Sequence, residues 1–98
     1  MAFNVQFSPR AREHIKDLRK RNQSIILKAI STHLTHKADE PTRNRKPLTE
    51  DSLALWELRV GDFRVFYDIV PDEKQVVIVA IGKKVHNELW IGNEKVEL

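Results

Sequence analysis

Arg59 and Arg64 stand on either side of Gly61-Asp62, so a two-residue turn at that dipeptide would set the two guanidinium groups directly opposite each other on paired strands. Like charges in that position destabilise a sheet, which implies a nearby anion, a neighbouring carboxylate, or both. Glu57 and Asp68 fall on the same predicted face. Two readings therefore stand together: a surface ion-pair network worth little per pair, and a cradle for phosphate. Lys83 and Lys84, at the end of the next strand, could extend the cradle. The run Arg43-Asn44-Arg45-Lys46 offers either further phosphate contacts or a solvated loop. His33 and His36, with Glu40 nearby, have a spacing that could hold a metal, but no fourth ligand is evident and no metal site is expected. His14 reads as a boundary side chain, and Trp90 as either a packing or a stacking residue.

The elements that must position these groups are legible in the patterning. Phe3 to Phe7 alternates apolar and polar residues, as a half-buried strand does. Ser8-Pro9 then opens a helix with an apolar stripe of Ala11, Ile15 and Leu18 and a basic wet side of Arg10, Arg12, Lys16, Arg19, Lys20 and Arg21. Asn22 is the expected cap of a second helix carrying Ile26, Ile30 and Leu34, with Leu27, and so short a connection predicts a helix hairpin. Lys37 to Asp51, broken by Pro41 and Pro47, reads as a loop or irregular connection.

Leu53 to Val60 and Phe63 to Val70 read as two strands of a hairpin. Counting outward from the turn pairs Val60 with Phe63, Arg59 with Arg64, Leu58 with Val65, Glu57 with Phe66 and Trp56 with Tyr67. One face then carries Trp56, Leu58, Val60, Phe63, Val65, Tyr67 and Ile69, a core surface for the helices to cover. The other carries Leu55, Glu57, Arg59, Arg64, Phe66 and Asp68. After a turn at Pro71-Asp72, Gln75 to Ile81 is apolar on both faces and reads as a central strand running into Gly82-Lys83-Lys84. The tail from Val85 to Leu98 has room for one further strand or a strand pair.

The chain has 98 residues, no cysteine and a formal net charge of +3, and is expected to form one α+β domain over residues 1–98. That composition removes disulfide scaffolds, thiolate zinc sites and cysteine nucleophiles. No apolar run is long enough to span a membrane, and Met1 to Arg12 carries arginines where a secretory signal needs an apolar stretch. A cytoplasmic location without membrane partners is expected. Asn22-Gln23-Ser24 is accordingly read as a helix start and not as a glycosylation site.

The order of elements, with Trp56-Glu57-Leu58-Arg59-Val60-Gly61-Asp62-Phe63-Arg64-Val65-Phe66-Tyr67 and the valine-rich strand into Gly82-Lys83-Lys84, resembles the RelE/ParE toxin family over nearly the whole chain. The resemblance implies an N-terminal strand and helix hairpin packed on a small, twisted, mainly antiparallel sheet. It also implies a toxin of a type II toxin–antitoxin system, held by a cognate antitoxin in a hetero-oligomer. Nuclease members cut messenger RNA in the ribosomal A site without a metal or other cofactor, which makes ribosome and messenger RNA the expected partners.

Carried onto this sequence, Arg64 corresponds to the arginine that stabilises the reacting phosphate. Lys84 falls where many members have an arginine, and Trp90 near a base-stacking tyrosine. Arg59, Lys83, Arg43, Arg45 and Lys46 would bind RNA phosphates. Where RelE-type nucleases have lysines, this chain has Leu55 and Glu57. Glu57 and His86 are then the expected base and acid, as in family nucleases that use a carboxylate and a histidine. The gyrase-poisoning branch lacks much of the nuclease set and remains an alternative, as does a family member that binds only its antitoxin and DNA.

Overall fold

The computed structural model describes residues 2–49, 52–92 and 94–96. In chain order these form β1 (Asn4–Phe7), α1 (Pro9–Lys16), α2 (Lys20–Leu34), β2 (Arg45–Pro47), β3 (Trp56–Val60), β4 (Phe63–Val70), a 3-10 turn (Pro71–Glu73), β5 (Gln75–Val85), β6 (Glu88–Ile91) and β7 (Glu94–Val96). The strands make one sheet in the order β2-β3-β4-β5-β6-β7, antiparallel throughout, with β1 added parallel to β5. The expected α+β architecture is therefore the observed one.

Ser8 caps α1, its Oγ accepting from the Ala11 N–H at 3.1 Å, and Pro9 takes the first helical position where a missing N–H costs nothing. The second helix starts earlier than the Asn22 cap predicts. Arg19 is extended (φ −61°, ψ 149°) and its carbonyl accepts from the Gln23 N–H at 2.9 Å, so Lys20 is already helical. The Gln23 side chain also ties the inter-helix turn by donating to the Leu18 carbonyl at 2.8 Å. Ile26, Ile30 and Leu34 are buried, whereas Leu27 is 46% exposed, because the inward stripe is only one residue wide at a spacing of four.

The strand register is the one the turn predicts. Trp56, Val60, Phe63 and Ile69 surround a core of Leu58, Val65 and Tyr67 beneath the helices. Between Phe66 and Tyr67 the pairing with β5 shifts, leaving Val79 as an extra residue. That bulge turns Ile78 and Val76 toward the helices while Ala80 faces the other way with Phe66. The segment expected as an irregular connection contains β2, which tolerates Pro47 because it is an edge strand. The tail forms the strand pair β6–β7, with Asn93, Glu97 and Leu98 outside the described residues.

One edge of β5 is shared. β1 covers Gln75 to Ile78 and β6 covers Gly82 to Val85, leaving Val79 to Ile81 between them. Side chains from the start of the chain fill the break: Ser8 Oγ donates to the Val79 carbonyl at 2.9 Å, and His14 Nδ1 accepts from the Ile81 N–H at 3.1 Å. An imidazole that accepts there must be neutral. Burial, aided by Arg10 and opposed by Asp17, lowers the His14 pKa from 6.5. The unfolded chain therefore takes up this proton first as pH falls. The stability His14 contributes is complete above pH 6.5 and declines as pH drops through and below that value. Urea titrations at several pH values should show His14→Asn, which keeps an acceptor that cannot titrate, losing less stability on acidification than the unsubstituted chain. Identical pH profiles would contradict the role given to this histidine.

Candidate functional site

Arg64 is the centre of the open face. It is only 7% exposed, and its Nη1 donates to the carbonyls of Gly61 (2.8 Å) and Phe63 (2.9 Å). Gly61 adopts φ +59° in the two-residue turn, a conformation glycine reaches without strain, and so the turn that sets the register also supplies an acceptor that holds Arg64. No carboxylate among the described residues pairs with Arg64, and its Nε and Nη2 donors have no protein partner there. These two groups form the side-on fork that matches a pair of phosphate oxygens. Gly82 is opposite Arg64 on β5 and leaves the adjoining position free of any side chain. A Cβ there would lie 2.8 Å from the Trp90 carbonyl oxygen.

A groove of about 830 Å³ runs over this face. Arg43, Lys46, Arg59, Arg64 and Lys84 line it, with Glu57 as its one acid among the described residues and Phe66 and Leu89 contributing apolar surface. Arg59 is directly opposite Arg64, and Glu57 is opposite Lys46. Backbone bonds fix the surroundings: the Lys84 N–H donates to the Asp62 carbonyl at 2.7 Å and the Arg59 N–H to the Asn44 carbonyl at 2.8 Å. No ion pair joins Glu57, Arg59, Arg64 and Asp68 among the described residues. Asp68 is otherwise engaged, accepting the Leu55 N–H at 2.7 Å. Five cations and one carboxylate around a phosphate-sized fork attract an anion and place a proton acceptor beside it.

Four expected site residues lie elsewhere. Arg45 is a correction: it is 5% exposed, with Nε donating to the Glu40 carbonyl and Nη1 to the His33 carbonyl, both at 3.0 Å. Opposite Leu58 on β2, it points to the helix side, whereas its neighbour Lys46 takes the groove side. Strand alternation thus divides a run that the sequence presents as one cluster. Lys83 and Trp90, paired with each other across β5 and β6, share the face opposite Lys84. His86 is exposed at the β5–β6 turn with φ 58° and does not line the groove, so it is not brought together with Glu57.

No metal-binding group of acids and histidines occurs among the described residues. Tyr67 belongs to the core. Its hydroxyl donates to the Ala38 carbonyl at 2.8 Å, its ring stacks on Trp56, and burial raises its pKa. Ser8 caps α1 as its sequence position predicts, but its bond to the Val79 carbonyl and the contact of His14 with the Ile81 N–H are not foreshadowed by the local pattern. The only hint is His14's position one helical turn beyond Ala11, on the flank of the apolar stripe.

The protein-family model described as "ParE toxin of type II toxin-antitoxin system, parDE" matches residues 5–87. A similar solved structure is that of the toxin–antitoxin complex RelBE2 from Mycobacterium tuberculosis, with 25% identity, a TM-score of 0.67, and coverage of 83% of this chain and 96% of that one. The archaeal RelE–RelB complex from Pyrococcus horikoshii is similar in fold, with 18% identity, a TM-score of 0.69, and coverage of 88% of this chain and 99% of that one. No curated protein matches the chain.

The division between Arg45 and Lys46 is open to measurement. Arg45→Ala strands two backbone carbonyls and should lower unfolding stability by about 2–4 kcal/mol, whereas Lys46→Ala should change it by less than about 0.5 kcal/mol. Urea unfolding of both variants decides the point, and equal effects would contradict the assignment.

Proposed function

The chain belongs to the RelE/ParE family of type II toxin–antitoxin toxins, and from that premise we propose that it is a ribosome-dependent, metal-independent endoribonuclease that inhibits translation by cutting messenger RNA. The observation that carries this reading is the buried Arg64 guanidinium, without a carboxylate partner among the described residues, in a groove with four other cations. A partner antitoxin is consistent with the toxin–antitoxin complexes that the chain resembles. No helix among the described residues is long and apolar enough to cross a membrane. The ribosome and message would be met in the cytoplasm.

In the proposed reaction Glu57 removes the proton from a ribose 2′-hydroxyl, and the resulting oxygen attacks the adjacent phosphorus. Arg64 holds two oxygens of the phosphorane through Nε and Nη2, with Arg59 adding charge across the strand pair. The bond to the 5′-oxygen breaks as that oxygen receives a proton from the Lys84 ammonium, leaving a cyclic phosphate and a free 5′-hydroxyl. Lys84 takes the acid role because it lines the groove with Glu57 and His86 does not. Arg43 and Lys46 bind flanking phosphates. The ribosome supplies alignment of the message for in-line attack.

A second reading, inhibition of gyrase without catalysis, is favoured by the match to a ParE model and by Leu55 and Glu57 standing where RelE-type nucleases have lysines. Adding the chain to a bacterial cell-free translation system and mapping 5′ ends separates the two. The nuclease reading predicts translation-dependent cuts within codons, reduced about 10²–10³-fold in Arg64→Ala and at least about 10²-fold in Glu57→Gln. An intact message with unimpaired synthesis, together with loss of gyrase supercoiling, would establish the other.

A further inference from the structure

Arg43 and Lys46 both line the groove, although Arg45 between them points to the helix side. For Lys46 strand alternation is enough, because it follows Arg45 on β2. For Arg43 it is not. Two positions before Arg45, it would share the helix side in a straight continuation of the strand, so the chain must bend to bring it round.

The bend is built on Thr42. Its N–H donates to the Arg45 carbonyl at 2.8 Å, while its Oγ1 accepts from the N–H groups of Asn44 (3.2 Å) and Arg45 (3.1 Å). A threonine hydroxyl here takes the place of the backbone partners that a strand would supply, and residues 42–45 close on themselves with Arg43 inside the bend. The loop is fastened at two further points. The Asn44 carbonyl accepts from the Arg59 N–H at 2.8 Å, which sets the loop against the strand that carries Glu57 and Arg59. Behind it, the Arg45 guanidinium donates to the carbonyls of His33 and Glu40, both at 3.0 Å. His33 is in the last turn of α2, where carbonyls have no partner within the helix and a cation is favoured. Sheet and helix end thus hold the loop from two sides, and none of these bonds uses the Arg43 side chain.

We propose, on the reading of the groove as the RNA site, that Thr42 is a positioning residue whose Oγ1 holds the 42–45 loop so that Arg43 meets an RNA phosphate next to the one on Arg64. Arg43 binds the phosphate and Thr42 acts through it, with Arg45 anchoring both from behind. A cation carried on a backbone already fixed by folding loses less freedom when it binds. An uncharged residue therefore controls part of the electrostatic attraction between the groove and its ligand.

The test uses the full chain and a short 2′-O-methyl RNA that cannot be cleaved, with affinity read by fluorescence anisotropy at several salt concentrations. Loss of one phosphate contact lowers the slope of log affinity against log salt by roughly 0.7 for a single strand, and Arg43→Ala should show that loss. Thr42→Val keeps the shape and removes the acceptor. It should weaken binding about three- to fivefold and lower the slope in the same direction, although it removes no charge. Thr42→Ser, which retains Oγ, should bind within about twofold of the unsubstituted chain. In an Arg43→Ala background Thr42→Val should change neither affinity nor slope, because the two residues act as one. Thr42 is exposed, so the valine disturbs no packing, and circular dichroism checks that each variant is folded. A Thr42→Val effect of equal size with and without Arg43, at unchanged slope, would show the hydroxyl touching RNA directly and would overturn the proposal. Normal binding by Thr42→Val would overturn it as well, leaving the RNA reading of the groove intact. An unsubstituted chain that binds no RNA would instead remove that reading and this inference together.

Discussion

The turn at Gly61-Asp62 governs the molecule because it sets the pairing of β3 with β4, and in a sheet a one-residue slip sends every side chain to the opposite face. With Val60 against Phe63, Val65 and Tyr67 of β4 go under the helices and both arginines go to the open face. The same turn presents the Gly61 carbonyl to the Arg64 guanidinium, with the Phe63 carbonyl immediately after it. Register and cation placement are therefore one constraint. Withdrawing a guanidinium from water costs several kcal/mol, which two charge-assisted bonds to carbonyls offset in part. An anion in the groove would offset more, and so the site is arranged to favour occupation.

The shared edge of β5 complements that constraint. A strand with β1 on half of one edge and β6 on the other half would leave bare backbone groups at the junction. Ser8 and His14 close it, so the first helix is attached to the sheet by polar side chains as well as by the packing of Ala11 and Ile15. The bulge at Val79 falls in the same short stretch and rotates the second half of β5 so that Ala80, Gly82 and Lys84 share a face with Phe66 and Arg64. Lys84 on the groove face and Lys83 on the opposite face thus owe their separation to the alternation of a single strand end.

Much of this was legible in the residues because the relevant rules are local. Alternation in Phe3 to Phe7, the Ser8-Pro9 start and the two-residue turn each act over a few positions, and each gave the observed element. What failed to show was longer in range. Asn22 has the residue type of a cap, and nothing in the local pattern indicates that the Arg19 carbonyl begins the helix earlier. Arg43 to Lys46 looked like one basic cluster because β2 is only three residues long and carries a proline. Lys83 and Lys84 read as one cationic pair in sequence, yet as successive residues of β5 they lie on opposite faces of the sheet. Trp90 and His86 depended on the path of the tail, which only its pairing with β5 determines.

In the proposed function, Arg64 and not the more exposed basic surface of the helices holds the RNA phosphate. The most direct measurement follows the arginine Nε–H resonances of the labelled chain as a short, non-cleavable 2′-O-methyl RNA is added. Arg64 and Arg59 should shift together with the strand, while Arg45, held by backbone carbonyls on the helix side, should not move. Shifts confined to the arginines of α1 and the inter-helix turn, with Arg64 unchanged at saturation, would contradict it.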